Sequence, residues 1–277
     1  MYKLSSYKKS IKISLLVLMG LLIFFPISGI IFDATDRLMH YDYFKPTAAG
    51  PSLYTVDQLF AWMFVAFTNW YALYCVLYGI VFLGRLAFKN EKSEFEKYFF
   101  NIINLATYSV VVALVFWPDV FLQLVKGEGF IFTNSWMKNI VTVNIHLIAP
   151  AIVFVLLGFF AKYEKIDFKN YLIYKSYYVL ILPMAWVIYG WIRLAIYVEV
   201  HGFAFDSGTL VWWNSYKVLN PYVNPGLAWS LLFVAIIVIY GIAIGVTQLC
   251  LLTKKLDSKK AANQGEKTIE QNSKSPT

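Results

Sequence analysis

Charge is what this 277-residue chain has least of: 14% of its residues are charged, against 59% hydrophobic. A soluble domain carries about 25% charged residues. The shortfall leaves too little polar surface to face water, which excludes a soluble enzyme. Cysteine is scarce, at two residues, which excludes a small secreted domain stapled by disulfides. Three His residues are present, and only His146 falls inside an apolar run. A transmembrane haem protein, which needs paired axial His, is therefore excluded. H-E-x-x-H, G-x-S-x-G and G-x-x-x-x-G-K-[ST] are all absent from the chain, which removes zinc proteases, elbow-type hydrolases and phosphate-loop enzymes. The sequence implies no metal and no cofactor.

What the chain has in abundance is apolar length. Six hydrophobic stretches run roughly over 13–32, 56–84, 98–124, 137–161, 171–198 and 226–252. Each is near the roughly 20 residues needed to cross about 30 Å of hydrocarbon. The first follows Lys3, Lys8, Lys9 and Lys12 as a signal peptide would. No small-x-small site closes it, so it reads as a retained span. The expected fold is all-α: a single six-helix transmembrane domain over 1–252, with both termini on one side. The polar stretch 253–277 lacks aromatics and reads as a disordered basic tail. Pro150 and Pro183 lie deep enough to kink their helices or to free carbonyls that neighbours must satisfy. The outer connections 33–55 and 201–225 are rich in Tyr, Phe and Trp and are expected in the membrane interface.

The basic excess reports orientation. Eighteen Lys and Arg fall on the side of the termini and six on the other, with eight acids on each, giving +10 and −2. Short loops rich in Lys and Arg stay cytoplasmic, so both termini are expected inside a plasma-membrane protein. The net +8 is thus a topogenic signal that can also lie against anionic lipid, and nucleic acid is not an expected partner. Cys75 and Cys250 fall in the inner halves of spans and read as small apolar residues.

Few polar groups remain inside the spans, and an ionisable one there is a functional candidate by default. His146 lies about nine residues into the fourth span from outside, about 13 Å of helix, and Thr68 about twelve residues into the second, about 18 Å. The two can therefore meet in the outer half of the bundle. A Thr hydroxyl becomes a nucleophile when an imidazole takes its proton. The bland alternative is a Thr bonded to its own i−4 carbonyl and a His that bridges helices. Arg193, near the outer end of the fifth span, either snorkels to headgroups or holds a lipid carboxylate or phosphate. Asp119 and Glu199 lie at comparable heights and can neutralise it. Asn69 and Asn144 are packing donors or oxyanion donors, and Asn101 a packing donor.

The order of these features resembles a known family. Phe67-Thr68 sits midway along the second stretch, His146-Leu147-Ile148-Ala149-Pro150 in the fourth, and Tyr189-Gly190-Trp191-Ile192-Arg193 late in the fifth. Asn220-Pro221-Tyr222-Val223-Asn224-Pro225 leads into the last. This set is similar to the androgen-induced-protein-like integral membrane family and its bacterial relatives. The resemblance spans about 56–252. It implies a threonine hydrolase of fatty-acid esters of hydroxy fatty acids, with Thr68 as nucleophile and His146 as base. Arg193, Asn69, Asn144 and Tyr189 would then contact a membrane lipid or fatty-acyl ester. The alternative from another class is non-enzymatic: a substrate-capture subunit of a transporter, or a lipid-binding membrane protein. Oligomeric state is not legible in the sequence.

Overall fold

A computed structural model describes residues 9–39, 63–87, 93–126, 135–160, 167–200 and 219–273. Among them there is no strand, and six helices are long and apolar enough to cross a membrane: Lys9–Met39, Phe67–Arg85, Ile102–Leu122, Trp136–Phe159, Phe168–Val200 and Pro225–Leu256. They are numbered spans 1 to 6. The protein is an all-α polytopic membrane bundle. Its outward faces carry large apolar side chains such as Phe24, Phe121, Phe159 and Phe233, each at least 60% exposed. In water these faces would be aggregation surfaces; against hydrocarbon they cost nothing. The aromatic segments 40–55 and 201–218, expected in the membrane interface, lie outside the described residues.

Two boundaries differ from the sequence reading. Span 1 does not end at Phe32 but runs to Met39, so Asp33 and Asp36 are helical and not part of an outer loop. Its buried stripe is Leu15, Met19, Leu22, Pro26, Gly29, Asp33 and Asp36, an unbroken alternation of four- and three-residue steps. The two acids simply continue the inward face. Span 6 continues as one helix to Ser273, so the stretch read as a disordered tail is helical through that residue. Its Ala, Lys, Glu and Gln content is helix-favouring without any apolar stripe.

The core is built on tyrosine. Tyr71, Tyr74, Tyr108 and Tyr171 are all at most 1% exposed, and each hydroxyl has a partner. Tyr71 pairs with the Ser109 hydroxyl at 2.8 Å, Tyr74 donates to the Phe99 carbonyl at 2.5 Å, and Tyr171 donates to Asn104. Tyr108 donates to the Val179 carbonyl at 2.9 Å. That carbonyl lies four residues before Pro183, which has no N–H to offer it. A phenol from span 3 thus supplies the donor that span 5 lacks. Asn101 is more than a packing donor. It stitches the break between the short helix Glu94–Phe99 and Ile102–Val125, donating to the Tyr98 carbonyl at 2.5 Å and accepting the Asn104 N–H at 2.9 Å. Both cysteines are buried thiols outside any disulfide.

Span 1 touches its neighbours closely at two glycines. A Cβ on Gly29 would sit 2.7 Å from Cγ1 of Ile145, and one on Gly79 would sit 2.6 Å from Cγ1 of Ile23. Gly29→Ala is therefore expected to cost about 1 kcal/mol through overpacking, read as a lowered unfolding midpoint in detergent. An unchanged midpoint would mean that spans 1 and 4 do not pack at this register.

Candidate functional site

Span 2 begins at a built break. Met63–Val65 is helical, Ala66 bends, and the helix restarts at Phe67. A bend strands carbonyls, and bare carbonyls in an apolar setting are costly. Here each is met by a side chain. Asn69 Nδ2 donates to the Met63 carbonyl at 2.5 Å, the Trp70 indole to Phe64 at 2.8 Å, and the Trp186 indole to Val65 at 2.8 Å. The Phe67-Thr68-Asn69-Trp70 run therefore holds the break, with Phe67 packed edge-on against Trp186 at 5.6 Å. Thr68 lies in the first turn after the bend, partly buried. It is not twelve residues into an unbroken helix, as the apolar run suggested.

Span 4 carries the second irregularity. Residues Asn144–Ile148 form a π-turn, closed by the Ala149 N–H on the Asn144 carbonyl. Such turns recur at functional sites. Pro150 cannot donate to the His146 carbonyl four residues back, and the Trp117 indole does so instead at 3.1 Å. The His146 ring is buried, stacked on Phe116 with centroids 3.6 Å apart and planes at 18°. Its Nδ1 faces the Thr142 carbonyl at 3.3 Å. A carbonyl only accepts, so Nδ1 carries a proton, and in the neutral ring Nε2 then keeps its lone pair. That orientation is the one a general base needs.

The π-turn packs directly against the Phe67–Ala87 helix, so Thr68 and His146 sit on touching elements. Among the described residues no hydrogen bond joins them. Tyr189 is brought to the break, its ring 5.6 Å from Trp70. It shares a face of span 5 with Trp186 and Arg193, at helical spacing. Arg193 is half-buried, its guanidinium over the Tyr197 ring at 5.7 Å. Glu199 accepts the Tyr222 hydroxyl at 3.2 Å; the Asp119 side chain lies outside the described residues.

Two candidates have other work. Asn69 spends both amide hydrogens, one on Met63 and one on Asp33 Oδ2 at 3.0 Å, so it has none left for an oxyanion. Asn144 donates to Ser28 Oγ at 2.9 Å, tying span 4 to span 1.

Sequence reasoning passed over the residues on the other side of Asn69. Asp33 and Asp36 are 6% and 2% exposed. Asp33 accepts from Arg37 Nε at 2.9 Å as well as from Asn69. Asp36 accepts from Ser135 at 2.5 Å, with Lys138 Nζ at 4.0 Å. The cluster joins the C-terminal end of span 1 to the N-terminal ends of spans 2 and 4. The available signal was the continuing four-three spacing. No group of three or more His, Cys, Asp and Glu among the described residues is arranged to hold a metal ion. No family model matches the chain, and neither a curated protein nor a solved structure does.

Proposed function

We propose that this integral membrane protein is a lipid-ester hydrolase of the plasma membrane, with both termini cytoplasmic, Thr68 as nucleophile and His146 as base. One observation carries the reading. A buried imidazole, its Nδ1 turned to the Thr142 carbonyl so that the neutral ring keeps its lone pair on Nε2, projects from a π-turn packed against the helix whose first turn bears Thr68. In the first step the Thr68 hydroxyl adds to the ester carbonyl while His146 takes its proton. The same proton then leaves with the departing alcohol, and water hydrolyses the acyl-threonine in the reverse sense. The Thr142 carbonyl does the orienting that a carboxylate does in a triad. Catalytic contacts in substrate-free sites are commonly open and close with substrate bound, which accommodates the missing Thr68–His146 hydrogen bond. With the Asn69 side chain committed and its backbone N–H on the Ala66 carbonyl, the Phe67 and Thr68 backbone N–H groups after the bend are the oxyanion donors. Arg193 and Tyr189 lie on the face of span 5 that approaches this break, where an acyl carboxylate would be read. The resemblance to the threonine hydrolase family supports the same pair.

Purified protein is expected to release fatty acid from fatty-acid esters of hydroxy fatty acids. Thr68→Ala and His146→Ala should each lower turnover at least ~100-fold, the usual scale for losing a nucleophile or base. A fluorophosphonate probe should label the protein but not Thr68→Ala. Unchanged turnover in both variants sinks the proposal. A second reading, a lipid-binding or substrate-capture component, is favoured by the absence of a Thr68–His146 hydrogen bond among the described residues. It predicts no turnover, with lipid co-purifying equally with the protein and with Thr68→Ala.

A further inference from the structure

The end of the bundle that carries both termini gathers lysines from three distant segments onto buried rings. Lys97 precedes span 3, Lys175 opens span 5 and Lys254 closes span 6. The ammonium groups of Lys97 and Lys175 stand 4.9 and 5.4 Å from the centroid of one ring, that of Tyr98. Lys254 stands 4.2 Å from the Phe168 ring. Tyr98 and Phe168 are 7% and 3% exposed, and Tyr98 stacks on Tyr171 at 6.5 Å, the residue one turn beyond Phe168. All three lysines are half-buried. Their heads stand over the rings, so part of the entropy of fixing a long side chain is already lost. Lys175 is ion-paired with Glu94. Beside these ammoniums the surface turns apolar: Ile173, Tyr174 and Tyr177 on span 5, and Leu252 on span 6, are 50–66% exposed.

We propose that this place is a binding site for an anionic phospholipid, its phosphate held among Lys97, Lys175 and Lys254 and its acyl chains lying on Ile173, Tyr177 and Leu252. A cluster of ammonium groups where helices meet, beside an exposed apolar surface, has the chemistry of such a headgroup site. Ammonium groups act on phosphate as point charges, so the site reads the negative charge more than headgroup shape. The apolar flank distinguishes a lipid from free phosphate, which would leave those side chains untouched. The site stands at the opposite end of the bundle from Thr68 and does not depend on catalysis.

The test is thermal unfolding of the full chain in a neutral detergent, with dioleoylphosphatidylglycerol, dioleoylphosphatidylcholine or inorganic phosphate added. Phosphatidylglycerol should raise the midpoint, and the other two should not. The Lys97→Gln/Lys254→Gln double variant should lose most of that rise, and Lys97→Arg/Lys254→Arg should keep it. Should the glutamine pair not fold, Lys97→Gln alone decides, since it must blunt the phosphatidylglycerol effect. An equal rise with phosphatidylcholine, or a full rise in the glutamine variants, overturns the site. A matching rise with inorganic phosphate overturns its assignment to lipid.

Discussion

Asp33→Ala is expected to cost about 3–5 kcal/mol of unfolding free energy, the scale of removing one partner from a buried ion pair. The size follows from what is left behind. The Asp33 and Arg37 side chains are 9% and 15% exposed and 2.9 Å apart. Alanine would leave the half-buried guanidinium without the carboxylate it was placed against. Asn69 would lose an acceptor too, and with it one of the ties that hold the bend before Thr68. Asp33→Ala should therefore also impair whatever chemistry Thr68 performs. Asp33→Asn keeps the volume and one acceptor oxygen and should be milder. Removing both charges, as in Asp33→Leu/Arg37→Met, should recover much of the loss, because paired replacement of a buried bridge is often neutral. The more open pair Lys175–Glu94, with side chains 25% and 60% exposed, supplies the contrast. Glu94→Gln should cost under ~1 kcal/mol. Reversible unfolding in mixed micelles measures all four. A loss below about 1 kcal/mol in Asp33→Ala would show that the Asp33–Arg37 pair carries no structural weight.

The contrast between these two pairs shows what a sequence read by composition captures. Run length found six spans because crossing hydrocarbon is a constraint on summed hydrophobicity, which composition reports directly. It misplaced the end of span 1 because a charge was taken to end a run, whereas Asp33 and Asp36 fall at the next two positions of the stripe through Pro26 and Gly29. It misplaced Thr68 for the opposite reason. Nothing apolar is missing around Ala66, and the bend exists only because Asn69, Trp70 and the distant Trp186 can serve its carbonyls. The polar stretch after Thr253 is helical to Ser273, since helix propensity needs no apolar face. Pro150 and Pro183 were legible as points where a carbonyl must find a partner. Which partner, Trp117 or Tyr108, depended on packing between spans far apart in sequence. The lysine convergence at Tyr98 is of the same kind.

Trp117→Phe tests whether the His146 turn depends on such a borrowed donor. Phenylalanine keeps a flat ring beside Phe116 and Phe121 but has no N–H, so the His146 carbonyl, now 3.1 Å from the indole nitrogen, would be left unmet. Leaving a buried acceptor unpaired costs about 1–3 kcal/mol, and that loss is expected in stability. The turn can escape it only by rewinding or by drawing water, and either moves the ring that stacks on Phe116. Any turnover by the proposed Thr68–His146 pair should fall with stability in this variant, although Trp117 touches neither the Thr68 hydroxyl nor the His146 ring nitrogens. The decisive arm is a second substitution. Pro150→Ala restores an N–H four residues after His146, so an ordinary helical bond can replace the indole's. Pro150→Ala should therefore be worth more in the Trp117→Phe background than alone, with a coupling above ~0.5 kcal/mol, the threshold at which two sites are no longer independent. Strict additivity, measured as unfolding free energies of the four proteins, would mean that the indole N–H and the missing proline N–H do not serve the same carbonyl.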